Sequence, residues 1–119
     1  MGMNFNKVGK MCIVNLPANV FTHVNIDELI DVIKVNIADG CIDFYLNMSK
    51  ISRIDGVGMG VLIHIQKLAH FNDVSIQLYE MQPSVKQVLF QTKMNRVIEL
   101  CEFDDMAQKL FPKRTALIA

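Results

Sequence analysis

The sequence predicts a single α/β domain with a mixed sheet of four or five strands and its helices mostly on one face. Along the chain, segments of alternating apolar residues take turns with segments whose apolar residues recur at helical spacing. The 119 residues suit one domain over residues 1–119, and 51% of them are hydrophobic, which is enough for a core. No repeat, low-complexity tract or linker divides the chain.

The strands are predicted from short apolar runs that end at turn residues. The run Met-Cys-Ile-Val-Asn-Leu stops at Pro17, which cannot donate to a sheet ladder. In a later run, Ile42, Phe44 and Leu46 alternate with the residues between them, as in a strand with two distinct faces. We expect strands at residues 5–8, 11–16, 41–48, 74–80 and 96–100.

The first helix is predicted to begin at Asn25, whose side chain suits an N-cap, and to end before Gly40. Asp27 and Glu28 fall in its first turn, where acidic groups complement the helix dipole. Its apolar residues at helical spacing are Ile26, Leu29, Ile30, Ile33 and Ile37.

The second helix is predicted over about residues 58–71. The residues expected on its core-facing arc are Val61, Leu62, Ile65, Leu68 and Ala69. Met59 and Ile63 fall on the opposite side, together with Gln66 and His70. Two apolar side chains are therefore expected to point outward, and an outward apolar stripe beside a helix start suits a partner protein.

A third helix is predicted to start near Pro83, because the missing N–H of proline has no helical partner in the first turn. Its apolar side is supplied by Val85, Val88, Leu89 and Met94. We expect a fourth helix at residues 103–111 and a frayed tail after Pro112.

The composition argues against several classes of function. The chain carries 12 basic and 12 acidic side chains, and this balance does not supply the positive field that nucleic-acid binding needs. No apolar run approaches the roughly 18 residues that span a bilayer, and residues 1–10 do not have the apolar core of a signal peptide. We therefore expect a cytoplasmic protein that neither binds nucleic acid nor inserts into a membrane.

The residues that could carry metal or catalytic chemistry are scattered. Cys12, Cys41 and Cys101 are odd in number and show no C-x-x-C spacing, so we interpret them as buried apolar residues in a reducing compartment. The histidines form no i, i+4 metal-ligand pair. Because no acid, base and nucleophile cluster together, we expect no metal, no cofactor and no enzymatic activity.

A glycine-rich segment lies where the predicted strand 41–48 has ended and the second helix begins. Residues 54–62 read Ile-Asp-Gly-Val-Gly-Met-Gly-Val-Leu. Asp55 can accept hydrogen bonds from the first free N–H groups of the helix, and those groups also attract anions such as phosphate. The G-x-G-x-G spacing is neither the dinucleotide fingerprint nor the P-loop, so a plain strand-to-helix turn explains it equally well.

Two motifs in the sequence resemble the STAS domain family, in particular its anti-sigma factor antagonists. The segment 46–62 resembles the family's strand ending in Leu-Asn-Leu, followed by Asp-Ser-Ser/Thr-Gly-Leu-Gly-x-Leu. The matching positions of the second part are Asp55, Gly58, Gly60 and Leu62. The segment 82–98 resembles the family's Ser-Pro-x-Val-Lys-Arg-Leu-Phe followed by Phe-x-Ile-Ile. The resemblance covers about residues 8–111 and implies a STAS-like α/β domain.

The resemblance also implies binding to a switch kinase that otherwise sequesters a sigma factor or another regulator. In the family, that kinase phosphorylates the serine after the motif aspartate, and phosphorylation breaks the complex. Here this position is Gly56 and the next is Val57, so neither residue offers a hydroxyl. Ser49 and Ser52 remain in the preceding loop, but phosphoryl transfer needs an aligned nucleophile, and loop hydroxyls more commonly bond nearby backbone.

We therefore predict a protein-interaction module that binds an anti-sigma factor or serine kinase-like protein. The predicted contact residues are Asp55, Gly56, Val57, Gly58, Met59 and Ile63, with Gly56 at the substituted phosphoacceptor position. The alternative is a cytoplasmic STAS structural subunit of a transport or sensory complex, in which no phosphorylation cycle is needed. Gly56 favours this alternative more than a serine would.

Overall fold

The computed structural model describes residues 3–18, 21 and 23–101, apart from the side chains of residues 23–25. The strands in these residues are Asn4–Val8 (β1), Met11–Asn15 (β2), Asp43–Asn47 (β3), Ser75–Tyr79 (β4) and Glu99–Leu100 (β5). The α-helices are His23–Ala38 (α1), Gly56–Phe71 (α2) and Pro83–Gln91 (α3), and a short 3-10 helix covers Met94–Arg96.

The five strands form one mixed sheet whose spatial order, β1-β2-β3-β4-β5, follows the order in the sequence. β1 and β2 are antiparallel and are joined by a two-residue turn, in which Gly9 adopts a φ of 61°. Every later pair is parallel, and a helix connects each parallel strand to the next. Right-handed crossovers that all advance in the same direction place their helices on one face of the sheet. The predicted mixed sheet with its helices mostly on one face is therefore confirmed.

The main core lies between the helices and one face of the sheet. On the strands it contains Cys12, Val14, Phe44, Leu46, Ile76 and Leu78. From α2 it receives the buried side chains of Val61, Leu62, Ile65 and Ala69, whereas Leu68 is only partly buried against it. The predicted core-facing arc of the second helix is therefore confirmed, with Leu68 at its margin.

The opposite face of the sheet holds a second, smaller apolar cluster. Tyr45, Tyr79 and Cys101 are buried there, with Met11 and Ile13 partly buried beside them. This cluster explains why β3 and β4 are almost continuously buried, as the central strands of a parallel sheet usually are.

All three cysteines are buried free thiols, as the sequence predicts. Cys12 and Cys41 both belong to the main core. Burial, and to a lesser extent the neighbouring Cys41, raises the pKa of the Cys12 thiol to about 11. Cys12 therefore stays protonated at neutral pH and packs as a small apolar residue.

The structure corrects three predicted boundaries. α1 begins at His23, so Asn25 lies inside the first turn and is not the residue before it. α2 begins at Gly56, two residues earlier than expected, because the cap at Asp55 outweighs the low helix propensity of the glycines. The predicted strand 96–100 is reduced to the two residues of β5, because the 3-10 helix occupies the chain before it. The predicted helix 103–111 and the tail lie outside the described residues.

Candidate protein-interaction site

The candidate site is the start of α2, which lies beside the carboxyl ends of the parallel strands. Asp55 has an extended backbone, with φ −117° and ψ −169°, and is the N-cap of the helix. Its Oδ1 accepts a hydrogen bond from the backbone N–H of Gly58 at 3.0 Å. Its carbonyl oxygen accepts the first helical bond from the N–H of Met59 at 2.9 Å. The predicted capping role of Asp55 is therefore confirmed.

The loop before the cap is held by polar groups on neighbouring strands. The side chain of Asn47, at the end of β3, donates to Oδ1 of Asn15 at 2.9 Å. Oδ1 of Asn47 accepts from the N–H of Ser49 at 3.0 Å. The N–H of Met48 also donates to the carbonyl of Tyr79 on β4, at 2.9 Å. The first residues of the loop are thus fixed to both neighbours of β3.

Two side chains from the β4–α3 connection hold the rest of the loop. Nε2 of Gln82 donates to the carbonyl of Ser49 at 2.8 Å, and Oγ of Ser84 donates to the carbonyl of Ser52 at 3.3 Å. These residues were predicted to begin the third helix and to belong to a motif, but their contacts with the loop were not predicted from the sequence. The contacts join residues 32 or 33 positions apart, so they depend on the pairing of β3 with β4.

The three glycines of the site differ in what the fold requires of them. A Cβ on Gly58 would lie 2.8 Å from Cγ1 of Ile54 and 3.4 Å from the ring of Phe21, so this position is sterically closed. A Cβ on Gly56 or Gly60 would meet nothing within 4 Å. Neither of those two has a backbone angle that excludes other residues. Of these three positions, only 58 must be glycine for the described residues to pack as they do.

The six predicted contact residues are partly brought together. Asp55, Gly56 and Val57 form one exposed surface, with Val57 55% exposed, and Ile63 lies further along the helix at 37% exposed. Gly58 is buried beneath them. Met59 is partly buried and packs against the main core, so the expectation that it points freely outward is wrong. The burial of Met59 results from its contact with the main core, and a projection of α2 alone does not show which elements lie beside the helix.

An apolar groove of about 350 Å³ runs between α1 and the start of α2. It is lined by Ile26, Ile30, Val57, Gly60, Val61 and His64. The open position at Gly60 forms part of its wall, because no side chain of the described residues lies within 4 Å of a Cβ placed there. This groove was not predicted from the sequence. The spacing of its α2 residues is readable from the sequence, but the position of α1 beside them is not.

Metal binding and membrane crossing find no support in the part of the chain that the structure describes. Among residues 3–18, 21 and 23–101, no three His, Cys, Asp or Glu side chains are grouped so that they could hold a metal ion. No helix in the same residues has the length and apolar character needed to cross a membrane.

The order of the strands, the crossovers on one face and the capped start of α2 agree with the resemblance seen in the sequence. The family model of the STAS domain matches residues 3–113. The chain belongs to the STAS domain family.

Solved structures share the fold of this STAS domain at low sequence identity. The anti-sigma factor antagonist SpoIIAA of Bacillus, in its unphosphorylated form, has a TM-score of 0.70 at 14% identity, covering 91% of this chain and 95% of its own. A serine-to-glutamate variant of RsbS from Moorella thermoacetica has a TM-score of 0.71 at 19% identity, covering 98% and 97%.

A chain from the stressosome, described as a signal integration and transduction hub, has a TM-score of 0.67 at 19% identity and covers 97% of this chain and 98% of its own. No curated protein matches the sequence. These similarities establish the fold shared by the STAS domains.

The glycine environments predict opposite effects of one substitution. Gly60→Ala should raise the free energy of unfolding by about 0.5–1 kcal/mol, because alanine favours the helix and its methyl group is unhindered. Gly58→Ala should lower it by about 1 kcal/mol, because the methyl group overlaps Ile54 by more than the propensity gain offsets. Urea denaturation of both variants checks this. Equal effects of the two substitutions would contradict the assignment of Gly58 as the closed position.

Proposed function

We propose that this STAS domain is a protein-interaction module that binds an anti-sigma factor or a related serine kinase-like regulator through the start of α2. The observation that carries the proposal is the surface formed by Gly56, Val57 and Gly60. It is exposed beside the cap, and its two glycines are not required by the fold itself. Family membership and the fold shared with an anti-sigma factor antagonist support the class of partner.

The groove beside α2 supports an apolar contact with that partner. A glycine inside a helix is about 1 kcal/mol less favourable than alanine, and no neighbour within the fold requires glycine at position 60. An open Gly60 lets another backbone or side chain approach the helix closely. Val57 and the groove walls then offer apolar surface around this point. Such a surface gains free energy when a complementary partner excludes water from it.

The tethered loop supports a preformed contact surface. Gln82, Ser84 and Asn47 hold the loop from several directions. The capped helix start is therefore fixed relative to the sheet before any partner binds. A contact surface that is already ordered loses less conformational entropy on association.

Binding by this module does not depend on a phosphorylation switch at position 56. Gly56 and Val57 carry no hydroxyl, and the exposed Ser49 and Ser52 contribute backbone carbonyls to the loop contacts. We propose that the protein acts in the cytoplasm, has no enzymatic activity, and associates with its partner in the same way with or without ATP.

A second candidate is a structural subunit of a transport or sensory complex. The missing hydroxyl at Gly56 favours it, because a constitutive scaffold needs no phosphorylation cycle. The fold shared with a stressosome chain is compatible with such a role. In this case the same surface of α2 would contact another subunit of the complex.

Charged substitutions at the start of α2 test the binding surface. Val57→Lys and Ile63→Lys should each weaken binding to a switch kinase of the source organism about tenfold or more, because an unpaired charge enters a desolvated contact. Both side chains are exposed, so stability should change little. Titration calorimetry measures the affinity, and Phe71→Lys, at an 83% exposed position at the far end of α2, is the matched control. If Phe71→Lys weakened binding to the kinase and the other two variants did not, the interface would not lie at the start of α2.

Gly56→Ser tests whether the partner is a kinase of the antagonist type. The variant should fold normally, because a Cβ at position 56 meets no atom of the described residues within 4 Å and the backbone is unstrained. A phosphate there adds about −1.5 to −2 charges beside Asp55 and should drive release of the partner. We expect the wild type to bind irrespective of ATP and the variant to bind and then dissociate when ATP is supplied.

Mass spectrometry and calorimetry, with ATP and with a non-hydrolysable analogue, separate the two candidates. Stoichiometric phosphate on Ser49 or Ser52 of the wild type would contradict the absence of a switch. A variant that binds but never accepts phosphate would favour the structural-subunit candidate.

A further inference from the structure

The first strand is an exposed edge of the sheet. Within the described residues, β1 pairs only with β2, and all five of its residues are exposed. Natural edge strands are commonly protected by proline, a bulge or an outward lysine. β1 contains no proline, and its pairing with β2 runs over five successive residues without a bulge. Its single lysine, Lys7, is engaged in an ion pair with Asp39 at the end of α1.

The hairpin geometry determines which backbone groups face outward. A two-residue turn joins the strands, so the flanking pair of Val8 and Met11 exchanges backbone hydrogen bonds, and such pairs alternate along the ladder. The same holds for Asn6 with Ile13. The N–H and C=O groups of Phe5 and Lys7 therefore point away from β2, toward the open edge.

A groove of about 250 Å³ lies beside this edge, between β1 and α1. Its lining includes Phe5, which is 40% exposed, and Val35, which is 60% exposed. Glu28 and Asp31 line the same groove, and none of the described residues that line it is basic. The surface thus combines unpaired backbone groups, apolar side chains and two acidic groups, and it suits an extended strand that carries an apolar and a basic residue on one face.

We propose that a second copy of this chain occupies the edge, with the two β1 strands paired antiparallel about a twofold axis at Asn6. In that register Phe5 of each copy lies opposite Lys7 of the other, and these are the residues whose backbone groups face outward. The two sheets then join into one sheet of ten strands. A twofold interface must be complementary to itself, and β1 supplies an apolar and a basic residue two positions apart on one face.

The side chains complement each other on the helix side of the joined sheet. Phe5 is paired with Val14, a core residue, so Phe5 and Lys7 both face the helix layer. β1 and α1 both begin at the end of the sheet where the parallel strands have their carboxyl ends, and both run to the opposite end. In the antiparallel dimer, Lys7 of the second copy therefore approaches the half of the groove that holds Glu28 and Asp31. Phe5 of the second copy approaches the half with Val35. In the dimer, Lys7 exchanges its exposed and therefore weak ion pair with Asp39 for the acidic groups of the other copy's groove. Opposite charges and apolar groups then meet in the same register.

Cysteine cross-linking tests the register directly. Asn6 of one copy should face Asn6 of the other as a non-hydrogen-bonded pair, with Cα atoms about 4.5 Å apart, within the range of a disulfide. Asn6→Cys should therefore form a covalent dimer with oxidised glutathione, which takes up the two electrons and two protons of the thiols. Asn4→Cys, at an exposed position on the same face, is the matched control and should cross-link far more slowly, because it faces Val8 of the other copy. Comparable rates for the two variants would overturn the proposed register.

Sedimentation equilibrium tests the surface in the otherwise unaltered chain. The wild type should show a monomer–dimer equilibrium, and Val35→Lys should raise its dissociation constant about tenfold or more, because a charge enters the apolar contact with Phe5 of the other copy. Phe71→Lys should leave the constant unchanged, and circular dichroism confirms that each variant is folded. A wild type that stays monomeric at all concentrations, or a dimer insensitive to Val35→Lys, would overturn the proposal. Neither measurement involves the α2 partner, so the outcome is independent of the proposed function.

Discussion

The parallel run of β2, β3 and β4 is the constraint on which the rest of the structure depends. Parallel strands need a crossover between them, and here each crossover is a helix packed on the same face. Every strand-to-helix connection therefore lies beside the carboxyl ends of the parallel strands. The loop before α2 and the start of α3 become neighbours for this reason, and the contacts of Gln82 and Ser84 with that loop follow.

The cap of α2 turns this architecture into a defined surface. Asp55 binds the N–H of Gly58, and Ile54 fills the space where a side chain at position 58 would lie. The three glycines of one short motif therefore have different physical roles. Gly58 allows the loop to pack against the helix, whereas Gly56 and Gly60 leave outward positions empty. The similar spacing of the glycines does not imply a shared reason for them.

The fold could be predicted from the sequence to a large extent because strand order in space follows strand order in the chain. Alternating and helical apolar periods located the main elements, and the Asp55 cap was readable from its place before a helix. Boundaries were less accurate at Asn25 and at the glycine-rich start of α2. At the start of α2 the cap at Asp55, and not residue propensity, decided where the helix begins.

The site was less predictable because its surfaces are made by residues far apart in sequence. The helical projection of α2 gave the core-facing arc correctly, but it placed Met59 outside the core. It also could not show that α1 forms a groove with Val57 and Gly60. A projection describes the direction of a side chain from its own helix axis. Burial depends in addition on which element lies in that direction, and this is set by the crossovers.

The proposed edge pairing and the proposed partner site have a joint physical consequence. β1 is at one edge of the sheet, whereas α2 follows the central strand β3, so a dimer through β1 leaves the start of α2 accessible on both copies. If binding at α2 has no phosphorylation switch, as proposed, mass action between the protein and its partner governs the occupancy of each site. Two sites on one rigid particle would let a dimeric partner bind twice, and the second contact then forms at a high effective concentration. Self-association through β1 would thereby regulate binding at α2 through protein concentration, a control that needs no covalent modification.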